Sequence, residues 1–115
     1  MHGISRSKTV FRTPATTSRE IVYSCPPNHH ATLSLIIFTN TDSTSRNIIL
    51  EVYDLDLARY NTVFDKAVTT KDSMIFDNGE YVVLEPGDNV VLTASSADTV
   101  AVTLTVKEYL TPTRT

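Results

Sequence analysis

The chain has 115 residues, of which 41% are hydrophobic and 20% are charged. This length suits one domain with a buried core and leaves little room for a second. The apolar content and the mixture of both charge signs exclude wholesale disorder. No stretch approaches the roughly 18 apolar residues of a membrane span, and the N-terminal residues lack the apolar segment of a signal peptide. We therefore expect no membrane partner and no secretion by the usual route.

Charge is unevenly distributed along the chain. Residues 1–19 contain four basic residues and no acid, whereas the remaining residues carry 6 basic and 13 acidic side chains. This asymmetry predicts a basic N-terminal arm, residues 1–19, that reaches an acidic surface such as a neighbouring subunit, followed by a single β-domain, residues 20–115. A solvated terminus is the plainer alternative. Nucleic acid is not an expected partner, because the basic residues are spread out and the acidic body would repel phosphate.

The arm contains a stretch, KTVFRT, whose composition is compatible with a β-strand, followed by a flexible spacer, PATTS. We expect this arm to leave its own domain and bind an adjacent subunit. Val10 and Phe11 would supply apolar contact, while Arg6, Lys8 and Arg12 would meet carboxylates on the partner. Exposed ion pairs contribute only about 0 to 1 kcal/mol each, so the apolar and main-chain contacts should dominate the affinity.

The first half of the body predicts three strands. In REIVYSC, apolar Ile21, Tyr23 and Cys25 alternate with more polar positions, and PPNHH then ends this strand in a turn. ATLSLIIFTN and IILEVYDL are the next two strands, and we expect them to form a hairpin across the polar loop TDSTSRN. The side chains expected to share an inward face are Leu33, Leu35, Ile37, Ile48, Leu50 and Val52. Cys25 is the single cysteine, without a CxxC partner, and is expected to be a small buried hydrophobe.

The second half predicts shorter strands and one long one. We expect strands at about residues 62–68 and 73–77, a helical turn in DLARYN, and a turn at Asn78-Gly79. Pro86 and Gly87 suit the second and third positions of a type II turn over residues 85–88. The inward side chains that follow are expected to be Val90, Leu92, Ala94, Val100, Val102, Leu104 and Val106. About eight short strands separated by turn signals indicate an all-β antiparallel sandwich of jelly-roll type.

Candidate chemistry is sparse. His29 and His30 are adjacent, so they cannot easily share one metal ion, and we expect a solvated pair in a loop. Asp54, Asp56 and Asp65 could surround Ca²⁺, but no glycine-punctuated calcium loop accompanies them. The chain has no Trp platform for a glycosidase cleft and no nucleophile elbow. These patterns predict a protein without catalytic residues, cofactor or metal.

Three segments carry a resemblance to a known group. A strand end of the form Y-x-C/V-P, a strand that approximately fits T-x-x-x-x-I-x-x-x-N-T, and a late L-x-x-G-D turn that precedes A-S follow in order across about residues 20–110. This order resembles the small β-sandwich virion structural proteins of tailed bacteriophages. The matching residues are Tyr23, Cys25, Pro26, Thr32, Ile37, Asn40, Thr41, Leu84, Gly87, Asp88, Ala94 and Ser95.

The resemblance implies a non-enzymatic particle component, of the head decoration or cement type or the neck or tail accessory type. Its implied location is the virion, assembled in the host cytoplasm, and its implied partners are other capsid, neck or tail subunits. We expect a dimer or trimer, because the edges of a free sandwich need protection. A carbohydrate-binding sandwich for host recognition is the alternative, with Tyr53, Tyr60 and Tyr81 as stacking faces.

Overall fold

The computed structural model describes residues 5–76 and 82–110, which form nine β-strands and no helix. The strands are β1 (Ser5–Arg12), β2 (Glu20–Ser24), β3 (His29–Asn40), β4 (Arg46–Asp54), β5 (Arg59–Val68), β6 (Ser73–Phe76), β7 (Val83–Leu84), β8 (Asn89–Ala94) and β9 (Val100–Leu110). The predicted all-β class is confirmed. Within these residues there is accordingly no helix of the length and apolar character needed to cross a membrane.

The strands form two antiparallel sheets around a single apolar cluster. One sheet has the order β1-β9-β3-β6, with β7 also pairing with β3, and the other has the order β2-β8-β4-β5. Each sheet therefore combines strands from both ends of the chain, and β1 and β2, β3 and β4, and β8 and β9 lie in opposite sheets. This interleaving is the jelly-roll arrangement. The predicted antiparallel sandwich is confirmed.

The core lies between the two sheets, where the predicted alternation of the last strands holds. Val100, Val102, Leu104 and Val106 of β9 are all fully buried. Their even spacing puts them on one face, because successive side chains of a strand point to opposite sides. β8 contributes its predicted inward residues in the same way, and Cys25 is buried as predicted.

The predicted hairpin of β3 and β4 is wrong. β3 pairs with β9, β6 and β7, whereas β4 pairs with β5 and β8 in the other sheet. The polar connection between them crosses from one sheet to the other, anchored where Asn40 Nδ2 donates to the Thr44 and Val68 carbonyl oxygens at 2.9 and 3.0 Å. β4 instead forms its hairpin with β5. Residues 55–58 make that turn, so the helical turn predicted in DLARYN is also wrong.

The predicted inward face of β3 changes phase partway along the strand. Leu33 is buried as expected, but further on Ile36 and Phe38 are buried in place of Leu35 and Ile37. The pairing with β9 shifts register between residues 33 and 35. A β-bulge of one extra residue reverses which side the following side chains face.

The predicted turn at residues 85–88 is present. Asp88 N donates to the Glu85 carbonyl oxygen at 3.0 Å, and Gly87 has a φ of 88°. A side chain at position 87 would also collide with a neighbour, because its Cβ would lie 2.5 Å from Leu55 Cδ2. The strands predicted at about 62–68 and 73–77 correspond to β5 and β6, whereas the Asn78-Gly79 turn lies outside the described residues.

Candidate interface at the β1 edge

β1 is the outermost strand of its sheet and pairs antiparallel with β9 of the same chain. The register places Arg6 opposite Glu108 and Val10 opposite Leu104. In this single chain, the segment expected to bind a partner thus lies on its own sandwich. Its partner-binding role stays a prediction.

The five predicted partner-binding residues do not share one face of β1. Residues directly opposite each other in an antiparallel pair lie on the same side of the sheet. Arg6, Lys8, Val10 and Arg12 stand opposite inward-facing residues of β9, so they point towards the space between the sheets. Phe11 points outwards and is 71% exposed. The alternation of successive side chains within RSKTVFR is sufficient to predict this division.

A buried carboxylate organises the inward side of this edge. The Glu108 side chain is fully buried, and its Oε1 accepts a hydrogen bond from Arg6 Nε at 2.7 Å. Lys8 Nζ lies 3.9 Å from Oε2, and the Tyr23 hydroxyl of β2 donates to the same oxygen. We call these four residues the Glu108 cluster. It joins β1, β2 and β9, and therefore joins the two sheets.

The electrostatics of the Glu108 cluster favour an ionised carboxylate. Burial alone would raise the pKa of Glu108, but the hydrogen bonds from Tyr23 and Arg6 and the charge of Lys8 hold this pKa below its ordinary value. Burial, together with the neighbouring Glu108 charge, raises the pKa of Tyr23 well above its usual range. Tyr23 accordingly remains a protonated donor to a charged acceptor at neutral pH.

Sequence reasoning missed Glu108. The residue continues the inward series of β9, two positions after Val106, so the alternation places a carboxylate among core positions. An acidic residue at an inward-facing position of a strand indicates a nearby partner of opposite charge, since an unpaired buried charge is costly. The excess of basic residues in residues 1–19 indicates where that partner comes from.

Within the described part of the arm, residues 5–19, each Arg and Lys side chain meets a carboxylate of the same chain. Besides the Glu108 cluster, Arg12 Nη2 lies 2.6 Å from Glu20 Oε1, and Arg19 Nε lies 2.9 Å from Glu51 Oε1. Hydrogen bonds from Arg12 and from the Thr16 hydroxyl lower the pKa of Glu20. Carboxylates that pair with these basic side chains are therefore present on the chain's own body.

Arg19 also covers the aromatic surface considered for sugar binding. Its guanidinium carbon lies 3.7 Å from the Tyr60 ring centroid, and the Tyr53 and Tyr60 rings are 4.8 Å apart. One face of Tyr60 is thereby occupied by a cation–π contact. Tyr81, the third candidate stacking residue, lies outside the described residues.

Exposed apolar side chains occur on the outer strands of both sheets. Phe11 on β1, Ile75 on β6 and Val83 on β7 belong to one sheet, and Ile21 on β2 belongs to the other. The exposed fraction of each side chain is above one half. Outer strands also present main-chain groups that pair with no neighbouring strand on one side, which makes them templates for a further strand.

The candidate metal ligands hold structural positions. His29 and His30 begin β3, so the expected loop pair is wrong, and His30 stacks on Tyr109 with a ring separation of 5.3 Å. Asp54 Oδ1 accepts hydrogen bonds from the backbone N–H groups of residues 56 and 57 in the β4–β5 turn. Across residues 5–76 and 82–110, no three His, Cys, Asp or Glu side chains are grouped to hold a metal ion.

No protein-family model matches this chain, and no curated protein matches its sequence. Solved structures do match its fold. A chain from the Bacillus endospore appendages, described as disulfide-linked pili, has a TM-score of 0.58 and 14% identity, covering 96% of this chain and 89% of that one. A chain of the acid-stable capsid of Helicobacter pylori bacteriophage KHP30 also has a TM-score of 0.58, with 9% identity and coverages of 96% and 94%. A chain of infectious bursal disease virus strain Gx has a TM-score of 0.51 and 9% identity, covering 95% of this chain and 37% of that longer one.

Proposed function

We propose that this chain is a non-enzymatic virion structural protein of a bacteriophage, a capsid decoration or cement subunit or a neck or tail accessory subunit. The observation that carries the proposal is the set of exposed apolar side chains on the outer strands of both sheets, Phe11, Ile21, Ile75 and Val83. A subunit that is covered on several sides in a particle needs such edges, whereas a free monomer usually protects them.

The fold comparisons support an assembling role. The jelly roll matches a bacteriophage capsid chain over nearly the full length of both proteins. The spore-appendage chain fits equally well, but it belongs to disulfide-linked pili. Cys25 is the single cysteine here and is buried, so its thiol is poorly placed for a link between subunits. This difference favours the virion role over a disulfide-linked pilus.

The mechanism is the addition of buried interface area and main-chain pairing at the sheet edges. Fully burying one exposed Phe side chain stabilises an interface by about 1.5 to 3 kcal/mol. Main-chain hydrogen bonds from a paired edge add affinity without reactive side chains. No substrate is turned over, and particle stability is the product of the contacts.

The carbohydrate-binding alternative has weaker support. Arg19 occupies one face of Tyr60, and a sugar ring that stacked there would have to displace both the cation–π contact and the ion pair with Glu51. Tyr53 is partly buried against the same ring.

Particle fractionation tests the proposed function. Virions of the source phage are banded in a density gradient and probed with an antibody against this chain. We expect the chain to co-sediment with the particles in a fixed ratio to the capsid protein, and purified protein added to particles that lack it should raise their melting temperature. Absence of the chain from banded particles would refute the virion role.

A further inference from the structure

We propose that β1 is exchanged between two copies of this chain, so that residues 5–12 of each copy pair with β9 of the other. This exchange rests on the proposed function as an assembling subunit, and it identifies the partner of the arm as a second copy.

The groove along β9 that β1 fills has a chemical requirement. It contains Glu108, whose side chain is fully buried and whose charge needs compensation. A neutral strand in this groove would leave the carboxylate with the Tyr23 hydroxyl alone. β1 places Arg6 directly opposite Glu108, and Lys8 lies two residues further along. A second copy supplies this strand in the same register, with the same charges.

β1 is attached to the body by contacts that a second copy can reproduce. Val10 is partly buried, and the other seven residues of the strand are exposed. Detachment therefore costs the main-chain pairing with β9, the ion pairs of the Glu108 cluster and the ion pair of Arg12 with Glu20, while little of the core is opened. All these contacts are regained when the strand docks on β9 of another copy. The balance between the two forms then depends on the connection to β2 and on concentration.

The connection from β1 to β2, residues 13–19, is long enough to reach a neighbour. Seven residues span at most about 23 to 25 Å when extended, once the hydrogen bond from Asp98 N to the Pro14 carbonyl oxygen, 2.8 Å long, is released. The smallest extent of the molecule is 20 Å. Pro14 biases Thr13 towards an extended conformation and away from a tight return. Phe11 lies just before this connection, so two crossing arms would bring their Phe11 rings close to the two-fold axis. Burial of both rings would favour the exchanged form.

A disulfide assay distinguishes exchange from the closed form. One variant carries Ser7→Cys and another carries Lys107→Cys, and the two are unfolded and refolded together at high concentration before oxidation at pH 8. Ser7 and Lys107 are directly opposite each other on the outer face of the sheet. Opposite Cα atoms in antiparallel strands are about 4.5 to 5.5 Å apart, within the range that a disulfide spans. The native thiol reacts little at this pH, because burial raises the pKa of Cys25 to about 11.

The matched control replaces Lys107→Cys with Thr103→Cys, which lies on the same face of β9 but about 13 Å further along the strand. Exchange predicts that the 7/107 mixture gives about fivefold or more disulfide-linked heterodimer than the 7/103 mixture. A single chain with both Ser7→Cys and Lys107→Cys, oxidised when dilute, should be locked as a monomer and should associate again only after reduction.

The outcomes separate this inference from the proposed function. Equal yields from the two mixtures, in a protein that light scattering shows to be associated, would overturn strand exchange and leave the assembling role standing. A strictly monomeric mass at every concentration, without linked heterodimer, would overturn exchange, and particle fractionation would then decide the virion role alone. Association of the locked, oxidised chain would also overturn exchange.

Discussion

Replacement of Glu108 by glutamine removes the buried charge at the centre of the β1 edge while keeping the shape of the side chain. The amide oxygen of Glu108→Gln can still accept from the Tyr23 hydroxyl. The charge-assisted hydrogen bond from Arg6 and the ion pair with Lys8 are lost. We expect this variant to fold and to be less stable than the parent protein at pH 7.

The size of the loss follows from the partners. A hydrogen bond to a charged group contributes about 1.5 to 3 kcal/mol, and an exposed ion pair adds about 0 to 1 kcal/mol. The Arg6 side chain is 64% exposed, which places its contribution at the low end of the range. We expect a decrease of about 2 kcal/mol in the free energy of unfolding, or roughly 8 °C in Tm for a domain of this size. Asp65→Asn, the same change at an exposed site on β5, is the control and should stay within about 0.5 kcal/mol.

The difference between parent and variant should depend on pH. The pKa of Glu108 is lowered in the folded state, so the unfolded chain takes up the proton first as the pH falls. The stabilisation is therefore complete above the ordinary glutamate pKa of about 4.5 and is lost as the pH falls through the folded-state value. Urea unfolding at pH 7, 5, 4 and 3 measures both proteins. A gap that stayed constant over this range, or a variant as stable as the parent at pH 7, would refute the assigned role of the charge.

Four further expectations follow from the described contacts. Phe11→Ala should leave the melting temperature unchanged but weaken self-association in light scattering, with Ser7→Ala on the same face of β1 as the control; equal association of both variants would contradict the role of the ring. Deletion of residues 1–12 should lower the melting temperature, because Glu108 loses both cations, and should abolish association; normal assembly by the truncated chain would rule out the arm as a contact. Gly87→Ala should cost about 1 to 3 kcal/mol in urea unfolding because of its positive φ, since the exposed Leu55 side chain can move away from the added methyl group; an unchanged midpoint would be inconsistent with that turn. A glycan array should show no tight binding by the parent protein, and a bound glycan lost in Tyr60→Ala would replace the assembly proposal with the carbohydrate-binding one.

The position and the buried face of a strand were predictable where apolar and polar residues alternate without interruption. Val100 to Val106 alternate without interruption, and β9 is long, central and buried on one face as this pattern requires. The turn at residues 85–88 was equally predictable, because Pro86 and Gly87 each suit a single backbone conformation there.

The same alternation could not show which strands pair with each other, or where a bulge changes which side chains of a strand face the core. Alternation places the apolar faces of β3 and β4 in the core whether the strands lie side by side or face each other across it, so it could not exclude the wrong hairpin. The bulge at residue 34 has no distinctive residue type, since Ser34 is ordinary in a strand. The pairing of β1 with β9 of the same chain could be predicted only from a buried Glu108. The sequence indicates that Glu108 is buried only if the inward-facing alternation of β9 is extended past Val106.

The Glu108 cluster couples positions that are far apart in the sequence. Position 6 and position 108 are separated by 102 residues, yet the two side chains share a hydrogen bond, and Tyr23 joins them from the opposite sheet. In related chains, loss of the acid at position 108 should therefore be accompanied by replacement of the tyrosine with an apolar residue, because the buried hydroxyl would lose its acceptor, whereas the exposed cations at positions 6 and 8 would be free to vary. Relatives should divide into two groups, one that retains the acid, the tyrosine and a cation opposite the acid, and one with apolar residues at positions 108 and 23, with few mixed forms between them.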